Sequence, residues 1–244
     1  MKFTRHILIL CCGCGLVLAG AGCDSKGGSA GGGGDSGTAA ATKDAAGIKH
    51  YSPDKLPAVE YNIPPQDEGR LEAPTPTGWK AGSRQGGVIL WFSEIKDRSG
   101  LPRIVITGVP TKLEGITAVT KANVAEFAKR VAAELEEKEQ EVLEPPKALL
   151  LGENAWARYV LLGKFKERPV DRQILRTVVD GREYVVELQV NRETVLQYRD
   201  SAYALAAGIK FHPAGTAAPE PGATPGESKP PLDQPKDKPE DAAK

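Results

Sequence analysis

Arg172-Gln173-Ile174-Leu175-Arg176-Thr177-Val178-Val179-Asp180-Gly181-Arg182-Glu183-Tyr184-Val185-Val186-Glu187-Leu188-Gln189-Val190 is the stretch that decides the fold. Runs rich in β-branched and aromatic residues flank Asp180-Gly181, and such runs favour strands. Asp-Gly supplies the backbone angles of a two-residue turn whose twist matches an antiparallel pair. A tight turn fixes the register: Val179 faces Arg182, Thr177 faces Tyr184 and Leu175 faces Val186. Side chains alternate across a strand, so Ile174, Arg176 and Val178 share the other face with Glu183, Val185 and Glu187. That face mixes an arginine with glutamates, so a cross-strand ion pair is expected; exposed, it contributes about 0–1 kcal/mol.

Working outward, Ala155 to Phe165 alternates around Trp156, Tyr159 and Leu161 and reads as a third strand. Before it, Val124, Phe127, Val131 and Leu135 recur at helical spacing with charges on the other side. This is an amphipathic helix lying on a sheet. Asn123 and Glu126 form a capping pair at its start. Glu134, Glu136, Glu137, Glu139 and Glu141 read as its solvated end, and Pro145-Pro146 stops its continuation. Further upstream, Val88 to Phe92 and Arg103 to Val109 are strand-like. Downstream, Thr194 to Ala207 is a second helix with Val195, Tyr198, Ala202 and Leu205 inward. Gly208 is placed to end it, and Ile209-Lys210-Phe211 forms a short edge strand. Trp79, Trp91 and Trp156 lie in or beside apolar strands and are expected in the core. The order of elements predicts an α+β fold: an antiparallel β-sheet with helices packed on it.

The ends read differently. Lys2 and Arg5 precede an uncharged apolar run, followed by Ala19-Gly20-Ala21-Gly22-Cys23. This is the layout of a signal peptide. Gly20-Ala21-Gly22-Cys23 resembles the lipobox of bacterial lipoprotein precursors, although Gly20 stands where an aliphatic residue is usual. The resemblance implies cleavage after residue 22 and lipidation of the Cys23 thiol. Residues 23–50 are Gly/Ala-rich and read as a flexible tether, 51–212 as one domain with its core from about residue 69, and 213–244 as a disordered Pro-rich tail. The expected location is the cell membrane, lipid-anchored, facing the periplasm or exterior.

Pro76-x-Gly78-Trp79, the Asn123–Glu137 helix, the Asp180-Gly181 hairpin and the Tyr198 to Phe211 ending are similar to the PsbP/DcrB-like superfamily. The resemblance spans about Leu71 to Phe211. It implies an α/β/α sandwich and a protein that acts by binding. It carries over no catalytic residue.

The residues themselves give no catalytic constellation, metal site or cofactor. Cys11, Cys12 and Cys14 lie in the signal region, so no thiol but Cys23 survives cleavage. His6 leaves too, while His50 and His212 sit at the domain's ends. The chain has 32 basic and 32 acidic residues, and this zero net charge argues against nucleic acid. The function expected from this is a non-enzymatic protein-interaction or accessory module with an envelope protein as partner. The alternatives are a small-ligand carrier or sensor, with a pocket between sheet and helix, and a hydrolase using carboxylates.

Overall fold

The computed structural model describes residues 41–43, 47–82, 86–96 and 99–213. The expected signal peptide, Cys23 and the residues beyond Pro213 lie outside the described residues. The elements in order are β1 (Thr42–Lys43), β2 (Lys49–Tyr51), β3 (Val59–Glu60), β4 (Leu71–Glu72), β5 (Thr75–Pro76), β6 (Trp79–Gly82), β7 (Val88–Glu94), β8 (Arg103–Pro110), α1 (Val124–Glu137), β9 (Val142–Leu151), β10 (Asn154–Phe165), β11 (Arg168–Val179), β12 (Arg182–Asn191), α2 (Val195–Gly208) and β13 (Lys210–Phe211), with a 3-10 turn at Pro53–Lys55.

The hairpin register is as the sequence predicts, with Val179 opposite Arg182 and Leu175 opposite Val186. Asp180 and Gly181 both have positive φ, 50° and 71°, as the turn demands. The pair sits inside a nine-stranded sheet of order β1-β2-β9-β10-β11-β12-β8-β7-β6. Its pairings are antiparallel except β2 with β9, which run parallel.

Strand alternation divides the core. Ala155, Ala157, Tyr159, Leu161, Ile174 and Val178 point to one face and pack under Val124, Phe127, Val131 and Leu135 of α1. Trp156, Val160, Leu175, Val186, Leu188 and Val190 point to the other and pack under Ala202, Leu205 and Ala206 of α2. The result is α+β: a large antiparallel sheet between helices.

Several local expectations are corrected. Pro145-Pro146 lies inside β9, so four strands, not three, separate the helices. Proline lacks the amide donor and is tolerated at sheet edges. Within β9, β2 pairs only with Leu149, Leu150 and Leu151, which leaves Val142–Ala148 without a neighbour on that side among the described residues. The pairing of β9 with β10 is also irregular around Val160. Asn123 makes no side-chain cap. Its Oδ1 accepts from the Thr120 amide and its Nδ2 donates to the Ala118 carbonyl, fixing the loop before the helix instead. Helix α2 continues through Gly208. A Cβ there would meet Pro74 Cγ at 2.7 Å, so this glycine allows a close approach to the neighbouring loop. Lys210–Phe211 pairs with Leu71–Glu72 and forms its own small ribbon. Lys49–Tyr51 joins the sheet across the expected boundary at residue 50.

Candidate functional site

Where β2 leaves β9, a groove of about 500 Å³ opens at the sheet edge. Its apolar surface comes from Ile48, Ala128, Ala132, Leu149 and Tyr203. Its charged lining is one-sided: Lys43, Lys49, Lys129, Lys147, Arg158 and Arg199 against the single carboxylate of Glu144.

Sheet geometry converges the polar groups. Arg158 stands between Trp156 and Val160 on the α2 face of β10. Glu144 of β9 and Gln173 of β11 both oppose Val160 and therefore share that face. Arg199 lies one helical turn before Tyr203 on α2, on the same stripe. The Arg158 side chain is only 8% exposed. It donates to both oxygens of Glu144. Arg199 reaches Glu144 Oε1 at 3.4 Å. The buried Gln173 Oε1 accepts from Arg158 Nε and Nη2 at 3.3 and 3.1 Å and from Arg199 Nε at 3.3 Å. Gln173 Nε2 is buried and has no hydrogen-bond partner among the described residues. Each guanidinium carries about five N–H donors, so these acceptors leave donors over.

The electrostatics are those of a retained charge. The Arg158 hydrogen bond is the main cause that holds the Glu144 carboxyl below the usual range. Burial works against the Arg158 charge, but the Glu144 hydrogen bond and the nearby negative potential outweigh it and raise its pKa. Burial pushes the Tyr203 hydroxyl up to about 12. Tyr203 meets Tyr51 edge to face, with ring centroids 5.0 Å apart.

A second, shallower groove of about 360 Å³ lies beside α1, and its charges balance: Lys138, Arg172 and Arg176 against Glu134, Glu183 and Glu187. Arg172 grips Glu187 through Nε and Nη2 at 2.6 and 2.7 Å. Arg176 lies 2.8 Å from Glu183 and 2.6 Å from Glu134. The expected cross-strand pair is therefore present, but it is buried rather than exposed: Arg176 is 9% and Glu183 13% exposed. Glu134 is also no solvated helix end. Burial alone would raise its pKa, yet hydrogen bonds from Lys138 and Arg176 bring it below the usual value.

Trp79 and Trp156 are buried as expected. Trp91 is half-buried, its indole lying over Gly82, where a Cβ would sit 1.9 Å from the ring. His50 falls in β2 and His212 follows β13; neither joins Arg158 and Glu144. Among the described residues no three His, Cys, Asp or Glu side chains gather as a metal set. None of the described helices is long and apolar enough to cross a membrane. Cys23, the expected lipidation residue, lies outside the described residues.

Sequence reasoning missed the whole groove cluster. One signal was available: Arg158 occupies an inward position between Trp156 and Val160, where an apolar residue is the rule.

No protein-family model matches the chain, and no curated protein matches it. Among solved structures it is similar to a Bacteroides thetaiotaomicron protein, with 12% identity over 61% of this chain and a TM-score of 0.42. The chain spans about half of that protein, 47%. It is also similar to LpqN, involved in cell envelope biogenesis of Mycobacterium tuberculosis, with 12% identity, 59% of this chain, 83% of LpqN and a TM-score of 0.38. Cyanobacterial PsbP (CyanoP) from Synechocystis sp. PCC 6803 aligns at 16% identity over 75% of this chain and 98% of its own, with a TM-score of 0.34.

Proposed function

We propose that this chain is a non-enzymatic, extracytoplasmic binding lipoprotein, held to a membrane through Cys23, whose groove at the β9 edge captures an anionic group of another molecule. The carrying observation is the charge of the groove: six cations face one carboxylate, in a chain with no net charge. Cationic clefts concentrate anions and speed their arrival. A concave site with an apolar surface and a few convergent polar groups suits a ligand of modest size. The geometry thus favours the carrier or sensor reading over docking of an envelope protein.

The test is co-purification. The lipidated chain is isolated from membranes in mild detergent beside an Arg199→Glu variant, and retained small molecules are identified by mass spectrometry. An anionic compound held by the wild type and lost in the variant is the expected result. A groove that instead crosslinks to a protein, with no compound retained, returns the chain to the accessory-module reading. The anchor is tested separately, by palmitate labelling of the wild type and Cys23→Ala.

A further inference from the structure

We infer that Arg158 and Arg199 form an anion seat which Glu144 fills in the absence of ligand, and that the ligand is an amphiphile with one carboxylate or phosphate monoester head and an apolar chain. The inference rests on the binding reading above and deepens it.

The seat is asymmetric. Its fixed half is buried: Arg158 on β10 and Gln173 on β11 stand in the middle of strands with neighbours on both sides. Its third member is not fixed in that way. The Glu144 side chain is 42% exposed. It belongs to the part of β9 that has no outer neighbour among the described residues and whose pairing with β10 is irregular. Pro145 and Pro146 follow it and can donate no backbone hydrogen bond to hold the segment. The segment itself does not hold the carboxylate in place, and a ligand anion on Arg158 can take over its ion pair. Arg158, buried, cannot follow it and needs another anion in its place.

An incoming carboxylate or phosphate offers what Glu144 offers, two oxygens in the plane of the guanidinium fork. It also reaches Arg199, which Glu144 meets only at 3.4 Å. The Gln173 Nε2 donor beside the seat has no hydrogen-bond partner among the described residues, and a third oxygen can take it. The rest of the ligand is read from the apolar lining of the same groove, which follows the sheet edge from Leu149 on the α2 side to Ile48, Ala128 and Ala132 on the α1 side. Lys43, Lys49, Lys129 and Lys147 favour the charged end during approach.

The test is calorimetric titration of the chain from Asp24 to Lys244, which contains every described residue, with decanoate, decyl phosphate, decanol and inorganic phosphate. Decanoate or decyl phosphate is expected to bind about tenfold or more tighter than decanol and than inorganic phosphate. Glu144→Gln removes the internal competitor and is expected to tighten that binding several-fold, while Arg199→Gln weakens it about tenfold. Equal binding of decanoate and decanol overturns the anion seat and leaves the groove as a binding site. Inorganic phosphate binding as tightly as decyl phosphate overturns the apolar part of the ligand. Weaker binding by Glu144→Gln overturns the exchange. If Glu144→Gln does not fold, the Arg199→Gln result decides: unchanged affinity overturns the seat. Silence from all four probes, with no anionic compound co-purifying from membranes, ends both this inference and the reading beneath it.

Discussion

The two grooves are built from the same parts and come to opposite ends. Beside α1, each arginine has glutamates of its own: Arg172 has Glu187, and Arg176 has both Glu183 and Glu134. At the β9 edge, Arg158 and Arg199 share one glutamate and one amide oxygen. The first set is matched in charge and ties α1 to the sheet through Glu134. The second is short of acceptors and is suited to take one from outside. Buried arginine by itself is thus no sign of a site; what separates the two is the ratio of cations to carboxylates.

The largest effect expected is on stability, and it falls on the charge-matched side. Arg176→Ala strands the buried Glu183 without its partner and leaves Glu134 with Lys138 alone. Breaking a buried pair in this way costs about 3–5 kcal/mol, measurable by urea denaturation. Arg199→Gln gives up two long contacts, to Glu144 at 3.4 Å and to Gln173 at 3.3 Å, and leaves Glu144 paired with Arg158, so it should cost less, about 1–2 kcal/mol. Similar costs for the two would break the comparison.

The next effect distinguishes the grooves by pH. Burial pushes Tyr159, beside α1, and Tyr203, in the basic groove, each up to about 12. Unfolded tyrosine titrates near 10. The stability these groups contribute is therefore complete below about 10 and is lost as pH rises from there towards 12. Ultraviolet titration of tyrosinate should show both late. Anion binding should move Tyr203 higher still and leave Tyr159 in place. On the acid side, Glu144 and Glu134 are both held low. Their stabilisation is present above the unfolded carboxylate value and is lost as pH falls, so thermal denaturation should show both grooves weakening in acid.

A smaller effect checks the frame that supports both grooves. Gly181 has φ 71° and nothing near its missing Cβ. Gly181→Ala then meets only the backbone penalty, about 1–2 kcal/mol, and should lower the denaturation midpoint without altering ligand binding. The smallest is a control. Glu126 and Arg130 form an exposed pair one turn apart on α1. Glu126→Ala should change stability by about 0.5 kcal/mol or less.

Much of the fold was legible because it is local. Asp180-Gly181 fixes a turn, the turn fixes a register, and alternation then assigns Ile174, Arg176 and Val178 to one face and Leu175 and Thr177 to the other. The amphipathic stripe of α1 was equally plain. Strand β9 was hidden because proline is read as a breaker; an outer side without a neighbour among the described residues and the irregular pairing with β10 together make Pro145 and Pro146 acceptable. The helix cap failed for a similar reason: Asn123 had a better use for its amide in the preceding loop. The binding groove was not legible at all. Glu144, Arg158, Gln173 and Arg199 are spread over four elements, and their meeting depends on the β9–β10–β11 register and on the rotation of α2. That Glu134 is shared between Lys138 and Arg176 depends on the same packing.

The claim that matters most is that Glu144 stands in for a ligand. A crystal structure of the chain grown with decanoate tests it directly. The decanoate carboxylate is expected within hydrogen-bond reach of both Arg158 and Arg199, with the Glu144 side chain turned into solvent. Decanoate bound elsewhere, or Glu144 still gripping Arg158 beside it, would contradict the account.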